Sequence, residues 1–587
     1  MIHTSFTFSI EKTHCANNAL KWLKFLDSDT VTNSTELNQC DVQNWLNVVL
    51  RFTSSLLHLL KVPMFESIKI QMCLPVPNSQ SKWQATCQWP VTSIVPPKEF
   101  EGLLKVAFKL ALWCSTANPY SDANRNRFFQ FIEIEVRRKF AKIVPRGKST
   151  FEVLRVAHRL NIPFYSLPAG IFQLGMGSAS RKIDRSTSDE DSAMGAQWAR
   201  NKVYAAQLLR QSGLPAPRHI VVKSITQART ASEQIKFPLV VKPADLERGE
   251  GVSVDVESDD LELAFNKAFK RSPSKTVLIE QQVSGVCHRI FVLDGEILYA
   301  VRRLPVGVYG DGYSSINDLV EEECKTQQLL PPWQRSGIRT LDQLSMNSIE
   351  RQGWSTETIP EREQFVALRR IETSAWGGVD EDVTTTIHPD NAMIAIQAAK
   401  LFELQVAGVD MISQDITKPW YENGAIINEV NYAPLLGGGD ISRSHISSYL
   451  KTLVKNSGRI PIHVYYGDAK ALKSAKECWQ GLVDSGLRAV LISSQQVLLS
   501  DGKPYMMSLD GVYARCTALI LWQDIDALVI AVQDTEFLYT GLPFDKVTSV
   551  CDAGGKLSSC NKNKTLSSAE QSKLRKVLKS WGDTFDS

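Results

Sequence analysis

Three groups of residues in the middle of the chain have the types and the order needed to hold a triphosphate and a divalent cation. Lys242 ends an apolar stretch, and a loop with Gly249 and Gly251 follows it. Three oxygen-bearing residues come much later in the chain: Asp410, Glu429 and Asn431. A lysine ammonium is a point charge for phosphate oxygens, and glycines let backbone N–H groups approach them. Carboxylate and amide oxygens suit Mg²⁺.

Taken singly, these motifs carry little information, because an apolar strand that ends in Lys-Pro or a glycine pair in a turn is common. Their combination is more specific. Glu429 and Asn431 are two positions apart, so on a strand they face the same side. Between the lysine and the acidic set, residues 279–283 (IEQQV) follow an apolar strand and form a candidate hinge whose backbone would contact an adenine edge.

The composition excludes several classes of protein. The chain has 587 residues, and 66 basic against 63 acidic side chains give a net charge of +3. This balance argues against a nucleic-acid-binding surface. No apolar run is long enough to span a membrane, and the N-terminus does not resemble a signal peptide. Eleven cysteines without a CxxC pair favour reduced thiols and a cytoplasmic location.

The elements that would position these residues alternate between strands and helices. Residues 45–60 and 128–140 have helical periodicity, and they lie in an N-terminal region without a catalytic constellation. Strands are expected at 238–243, 276–281, 289–303, 406–413 and 425–434. Residues 316–386 are polar and weakly periodic, which predicts a loop-rich insertion. From about residue 458, apolar strands again alternate with helices, and residues 566–581 form a terminal amphipathic helix.

The stretch from about residue 201 to 445 resembles the ATP-grasp superfamily of carboxylate–amine ligases, and in particular the cyanophycin synthetases. The resemblance rests on several segments together, among them STFEVLRVAHRLNIP, DSAMGAQWARNK, PLVVKPADLERGEGV, IEQQVSGVCHRIFVLDGEIL and VAGVDMISQDI. Members of this family polymerise aspartate and arginine. The resemblance implies an α/β multidomain protein with an N-terminal α+β accessory domain (1–145), an ATP-grasp domain (146–456) and a shortened Mur-ligase-like domain (457–587).

The resemblance also implies roles for individual residues. Lys202 and Lys242 would contact ATP phosphates, and Gly249 and Gly251 would close over them. The adenine hinge would be formed by Glu280, Gln281, Gln282 and Val283. Magnesium would be held by Asp410, Glu429 and Asn431. The candidates to neutralise the γ-phosphate and an acyl-phosphate intermediate are Arg289, Arg303 and Arg369.

Two departures from the family concern the substrate and the last domain. The run from Thr373 to Gly377 keeps the glycines but changes the polar side chains, which affects the amine-side substrate more than the ATP chemistry. A P-loop needs its lysine directly before Ser or Thr at the start of the helix. Here Ala471 takes the lysine position, Lys473 and Ser474 follow too late, and Ala531 replaces a metal-binding glutamate of the family. We therefore expect no second active site.

These features predict an ATP- and Mg²⁺-dependent, ADP-forming ligase that condenses preformed β-aspartyl-arginine dipeptides onto a cyanophycin primer. This is the activity of the shorter class of cyanophycin synthetase, whose second domain is inactive. Two alternatives remain: a ligase that makes a single amide bond on another peptide or amino acid, and a non-catalytic partner of a two-site synthetase. The expected partners are the dipeptide and the primer, without nucleic acid or membrane, and the family resemblance implies a homo-oligomer.

Overall fold

The computed structural model describes residues 2–9, 16–26, 42–77, 82–90, 94–246, 250–335, 341–370, 378–560 and 566–580. These residues divide into two compact units. The first unit comprises Met1–Glu152 and Arg185–Ile446, and the second comprises Val153–Asp184 and Ser447–Ser587. Residues 153–184 thus group with the C-terminal part of the chain. The division into three domains remains a prediction. Among the described helices, none combines the length and the apolar character needed to cross a bilayer.

The N-terminal part of the first unit is a small antiparallel sheet packed against helices. Its elements are β1 (Ile2–Ser9), α1 (Ala16–Leu20), α2 (Val42–Leu59), β2 (Lys69–Pro75), β3 (Lys82–Trp89), α3 (Pro97–Thr116) and α4 (Asp122–Phe131), which continues as a π-helix (Ile132–Arg138). The strand order is β1-β3-β2. The helices predicted at 45–60 and 128–140 are confirmed. Large side chains fill the core, where the Trp89 and Phe100 rings stack with their centroids 3.9 Å apart.

The next elements lead into a four-stranded antiparallel sheet. They are α5 (Thr150–Arg159), β4 (Phe164–Ser166), β5 (Phe172–Leu174), β6 (Arg181–Asp184), β7 (Thr187–Ser188), α6 (Ala193–Ala199), α7 (Lys202–Gln211), β8 (His219–Val222), α8 (Ile225–Ile235), β9 (Leu239–Pro243), β10 (Ser253–Val256), α9 (Leu261–Arg271) and β11 (Val277–Gln281). The sheet order is β10-β9-β11-β8. Apolar side chains on one face of this sheet pack against α8 and α9, which leaves the other face for polar residues.

A five-stranded antiparallel sheet follows. The elements are β12 (Val286–Leu293), β13 (Glu296–Pro305), β14 (Gly307–Tyr309), α10 (Ile316–Leu329), α11 (Gln343–Arg351), β15 (Phe365–Ala367), β16 (Gly378–Asp382), α12 (Pro389–Leu401), β17 (Val406–Ser413), α13 (Trp420–Asn423), β18 (Ile426–Tyr432), α14 (Asp440–Ser444) and α15 (Ile446–Leu453). Its order is β16-β13-β12-β17-β18. The strands predicted at 289–303, 406–413 and 425–434 are confirmed, and the last of them ends at Tyr432.

The region predicted to be a loop-rich insertion has more regular structure than expected. It contains α10, α11, β15 and β16, and apolar residues of α10, α11, β15 and β14 form a small separate core. The sequence pattern is weak because α10 buries only Ile316 and Val320 and exposes polar residues elsewhere. The described part of the region thus contains two helices and two short strands, with loops between them.

The C-terminal part of the chain forms a mostly parallel sheet. Its elements are β19 (Ile462–Tyr466), α16 (Ala469–Asp484), β20 (Ala489–Ile492), β21 (Val497–Leu498), α17 (Val512–Leu519), β22 (Ala527–Val532), α18 (Phe537–Thr540), β23 (Ser549–Asp552) and α19 (Ser568–Ser580). The order is β21-β20-β22-β19-β23, with β21 antiparallel to β20 and the other strands parallel. Both faces of this sheet carry apolar clusters, as expected when helices cover a parallel sheet.

Candidate active site

Three charged residues lie side by side on neighbouring strands of the five-stranded sheet. Arg289 on β12 is opposite Asp410 on β17, and Asp410 is opposite Glu429 on β18. Asn431 is opposite Gly408, the residue two positions before Asp410. Because directly opposed residues of antiparallel strands share a face, all four polar side chains lie on one face. The prediction that Glu429 and Asn431 face the same side is confirmed.

The opposite face of this sheet explains why the charged residues are confined to one side. Alternate residues such as Ile290, Ala300, Val409 and Val430 are buried in an apolar cluster that includes side chains of α12. Period-two alternation on each strand therefore assigns one face to the core and the other to polar groups. We call the second face the polar face of the sheet, defined by Arg289, Arg303, Asp410, Glu429 and Asn431.

Asp410 is the centre of the hydrogen bonds on the polar face. Its Oδ2 accepts a bond of 2.8 Å from Nη2 of Arg289, while its Oδ1 accepts from Nε of the same guanidinium. Nδ2 of Asn431 donates to Oδ2 of Asp410 at 3.2 Å and to the Gly408 carbonyl at 3.1 Å. Burial alone would lower the pKa of Arg289, but the Asp410 carboxylate outweighs it and raises the pKa, so the guanidinium stays charged.

Gly408 makes room for this arrangement. A Cβ atom at this position would lie 2.8 Å from Cβ of Pro434 and 3.1 Å from Cδ of Arg289. The Arg289 side chain therefore lies across β17 at the one residue that has no side chain. The sequence contains this glycine in the strand AGVDM, but its role depends on the strand pairing.

Lys202 brings a positive charge to the same group. It is the first residue of α7, whose N-cap Asn201 accepts hydrogen bonds from the backbone of Val203 and Tyr204. Its Nζ is 3.0 Å from Oε1 of Glu429. A residue predicted to contact phosphate and a residue predicted to hold magnesium are thus in direct contact.

Lys242 lies on the four-stranded sheet and has a carboxylate partner of its own. Its Nζ donates to Oε1 of Glu280 on β11 at 2.8 Å, and both side chains are only 8% exposed. His219 is opposite Glu280 on β8, and Nδ1 of His219 is 3.4 Å from Nη1 of Arg210. Burial is the largest cause that lowers the pKa of His219, and the Arg210 charge acts in the same direction, which favours a neutral imidazole.

Arg210 and His219 were missed by sequence reasoning, because neither stands in a recognisable motif. Three further residues on or beside the polar face, Tyr299, Ser442 and His445, were also missed. Tyr299 is opposite Phe291 on the polar side of the sheet, its hydroxyl is 3.0 Å from Oγ of Ser442, and its ring stacks on His445 with the centroids 5.2 Å apart. Only the pairing of β12 with β13 and the packing of the chain after β18 bring these groups together.

The predicted hinge begins with the last two residues of β11, Glu280 and Gln281, and continues beyond the strand. Glu280 is engaged by Lys242, the backbone N–H of Gln281 donates to the Arg218 carbonyl at 3.0 Å, and Oε1 of Gln282 accepts from the backbone of Asp255 at 3.1 Å. Val283 follows the end of β11. Contact of this segment with adenine remains a prediction.

The glycine loop after Lys242 is only partly described. Gly249 lies outside the described residues, as do Thr373 to Gly377. Gly251 has φ +75°, and a Cβ there would lie 2.9 Å from Cγ of Pro243, so a glycine is required by the backbone. Asp245 anchors the start of the loop, because its Oδ2 accepts a bond of 2.6 Å from the backbone of Ser274.

The three candidate arginines are in different surroundings. Arg289 and Arg303 share the polar face, since Arg303 is opposite Cys287, two residues before Arg289. Arg369 is only 5% exposed, and its Nη2 donates to Asp342 at 2.8 Å while its Nη1 donates to the Leu368 carbonyl at 2.7 Å. These bonds tie Arg369 to the segment around α11 and β15. A role in phosphoryl transfer remains a prediction for all three arginines. Arg289 and Arg303 are the better candidates, because both lie on the polar face.

The oxygen donors of the polar face fit a hard cation such as Mg²⁺. Asp410, Glu429 and Asn431 supply two carboxylates and one amide oxygen on adjacent strands, and this donor type is typical of magnesium sites. Among the described residues, no group of three or more His, Cys, Asp or Glu side chains is arranged to hold a metal. The candidate set differs from such a group because its third member is an asparagine.

The connection between β19 and α16 differs from a phosphate-binding loop. Only Gly467 and Asp468 separate the strand from the helix. Oδ1 of Asp468 accepts from the backbone of Lys470 at 2.9 Å, so a carboxylate already occupies the helix N-terminus. Lys473 is exposed within the helix rather than at its start. Ala531 is fully buried in β22.

Comparison with known proteins relates part of the first unit to a family of ATP-binding domains. Residues 201–291 match the family described as "Carbamoyl-phosphate synthase L chain, ATP binding domain". The chain is 30% identical over 327 residues to a cyanophycin synthetase from Trichormus variabilis, a match that covers 54% of this chain and 36% of that protein. It is 28% identical over 259 residues to a glutathione biosynthesis bifunctional protein from Clostridium perfringens, covering 42% and 32%.

Among solved structures, a bifunctional glutathione synthetase from Pasteurella multocida aligns with a TM-score of 0.40 and 21% identity, covering 61% of this chain and 52% of that one. The chain spans only about a third of the length of the curated relatives it matches. Over about half of its own length, it is homologous to cyanophycin synthetases, and this part has the ATP-grasp fold.

Proposed function

We propose that the protein is an ATP-dependent, ADP-forming carboxylate–amine ligase with one active site, which joins β-aspartyl-arginine dipeptides into cyanophycin. The observation that carries the proposal is the polar face, where Arg289, Asp410, Glu429 and Asn431 lie on three adjacent strands beside Lys202. Homology to cyanophycin synthetases over about half of the chain supports the reaction class. The choice of the dipeptide as substrate rests on the name of these relatives and on Asp468, whose carboxylate occupies the start of α16 in the C-terminal unit.

In this proposal, the charged pairs exchange partners when ATP binds. Lys202 and Lys242 leave Glu429 and Glu280 and donate to phosphate oxygens instead. Asp410, Glu429 and Asn431 would hold Mg²⁺, which supplies positive charge that offsets the charge of the phosphates. Arg289 and Arg303 face the transferring phosphoryl group, where preorganised donors stabilise the transition state.

The reaction then proceeds in two steps. The terminal carboxylate of the growing chain attacks the γ-phosphorus of ATP, which gives an acyl phosphate and releases ADP. The amine of the incoming dipeptide attacks the acyl carbon, forms the amide bond and releases phosphate and a proton. The charged side chains of the polar face supply electrostatic stabilisation in both steps, and no covalent enzyme intermediate is needed.

The dipeptide is the proposed substrate because a second nucleotide site is unsupported by the geometry around Asp468. Its carboxylate occupies the N-terminus of α16, where a nucleotide phosphate would have to bind. A polymer made from free aspartate by one site would lack arginine, whereas a preformed dipeptide supplies both residues in one addition.

The test is ADP release from the full chain with ATP, Mg²⁺ and a short cyanophycin primer. We expect release with β-aspartyl-arginine and none with free aspartate plus arginine. Equal turnover with the free amino acids would exclude the dipeptide proposal. Loss of activity on chelation of Mg²⁺, with recovery on adding it back, is expected as a further result.

A single-addition ligase is the second candidate, favoured by the similarity to the glutathione biosynthesis protein of Clostridium perfringens. Mass spectrometry of the products separates the two, because a polymerase gives a ladder spaced by one dipeptide and a single-addition enzyme gives one product. A non-catalytic role would require that Mg²⁺-dependent ATP binding is absent, or that it is unchanged in Asp410→Ala.

A further inference from the structure

A basic cleft lies in the C-terminal unit, outside the residues of the proposed ligase site. It has a volume of about 440 Å³ and is lined by the ends of β19 and β23 and by one side of α19. Pockets of roughly 300–1,000 Å³ are typical of small-molecule sites. Its position follows from the topology: β23 is the edge strand beside β19, and α19 packs next to β23, so the cleft lies between the ends of these strands and the helix.

An ion pair between Arg575 and Asp552, with no net charge, forms the floor of the cleft. Arg575 on α19 donates to the carboxylate of Asp552 at the end of β23 and to the Gly555 carbonyl, the latter at 2.5 Å. Its guanidinium lies 5.7 Å from the centroid of the Tyr466 ring. Burial alone would raise the pKa of Asp552, but the bonds from Arg575 and the Gly554 backbone outweigh it and lower the pKa. Asp552 therefore stays ionised, and its charge compensates the guanidinium of Arg575.

Three further cations line the cleft without such compensation. Lys556 follows β23, and Lys576 and Lys579 lie one turn of α19 apart. Within the described ranges, none of the three ammonium groups forms an ion pair with a carboxylate. Lys576 and Lys579 are exposed on the same side of the helix as Arg575, because residues three and four apart are neighbours on a helix surface. The cleft therefore carries an excess of three positive charges.

We propose that this cleft binds a small polyanion with two or more phosphate or carboxylate groups. Three lysines around one cavity match a compact cluster of negative charge, since each ammonium offers several donors to anionic oxygens. The Tyr466 ring is only 4% exposed, so it offers no open face on which a nucleotide base could stack. The favoured ligand is thus the anionic group itself rather than a nucleoside.

The test uses the full chain, titrated by calorimetry without magnesium with tripolyphosphate in one arm and citrate in the other. The triple variant Lys556→Gln/Lys576→Gln/Lys579→Gln should bind about tenfold more weakly or worse. The matched control Lys573→Gln removes one charge from α19 outside the cleft and should bind as the unchanged chain does. Affinity should also fall with added salt.

Each outcome decides the proposal. Binding of tripolyphosphate alone, or of citrate alone, that is lost in the triple variant supports the site and identifies the source of the anion as phosphate or carboxylate. Absence of binding in both arms overturns the proposal, and so does a triple variant that binds as many tripolyphosphate or citrate ions per chain as the unchanged chain, since the ligase site contributes equally to both. All three lysines are surface residues, so unchanged thermal unfolding of the triple variant verifies that the loss is local.

Discussion

The five-stranded antiparallel sheet and the C-terminal, mostly parallel sheet differ in the polar groups that each offers to a nucleotide. In the first, one face is core and the other carries Arg289, Asp410 and Glu429 in adjacent positions. In the second, both faces are apolar, and the start of α16 is closed by Asp468. The proposed function therefore depends on which side chains a sheet presents on its faces, and on whether the helix ends beside it are open, rather than on the presence of strands alone.

Removing charge from the polar face tests this contrast with the largest expected effect. Asp410→Asn keeps the shape of the side chain but removes the charge that faces Arg289. We expect ADP formation to fall by about 10²–10³-fold, as when one preorganised group is lost at a transferring centre. Initial rates of ADP release measure it, with the exposed Glu422→Gln as control. A rate close to that of the unchanged chain would mean that the polar face is not the active site.

The buried Lys242–Glu280 pair links function to stability on the four-stranded sheet. Lys242→Met leaves Glu280 buried without its partner and should lower the free energy of unfolding by about 3–5 kcal/mol. Denaturant unfolding measures this, with the exposed Lys223→Met as control. The double variant Lys242→Met/Glu280→Leu should recover much of the stability but not ATP binding. If the single variant is as stable as the double one, the pair is not a buried interaction in solution.

Gly408 provides a more local test of the polar face. Gly408→Ala places a methyl group against Pro434 and Arg289, and overpacking of this kind costs about 1–3 kcal/mol. We expect lower stability together with slower ADP formation, since Arg289 must move. Gly481→Ala is the matched control in α16, where nothing lies within 4 Å of the added Cβ. There the protein should gain about 0.5–1 kcal/mol; a similar loss at both sites would contradict the packing argument.

The smallest effect is expected at the C-terminal sheet. Asp468→Ala removes the N-cap of α16 and should cost about 0.5–2 kcal/mol. It should leave dipeptide-dependent ADP formation unchanged, and so should Lys473→Met. Thermal unfolding and ADP release on the same samples measure both quantities. A marked fall of the rate in either variant would indicate that this unit takes part in catalysis, and the contrast between the two sheets would not hold.

Much of the site could be predicted because strand alternation and residue order are local properties. The strands around Asp410 and Glu429, their common face and the helix after His388 follow from periods of two and 3.6 residues. The sequence around Gly467 likewise predicted that no phosphate-binding loop forms there, because such a loop depends on a few consecutive residues. The regular structure of residues 316–386 was missed, since α10 buries too few apolar side chains to leave a pattern.

The sequence by itself determined which residue types stand on which strands, and therefore that a lysine, two carboxylates and an amide were available for nucleotide chemistry. Only the tertiary structure decided their partners: Glu429 for Lys202, Glu280 for Lys242, and Asp410 for Arg289. It also decided that Arg369 forms an ion pair with Asp342. The physical reason is that strand register and packing join residues far apart in the chain, and no local pattern records which charges will meet.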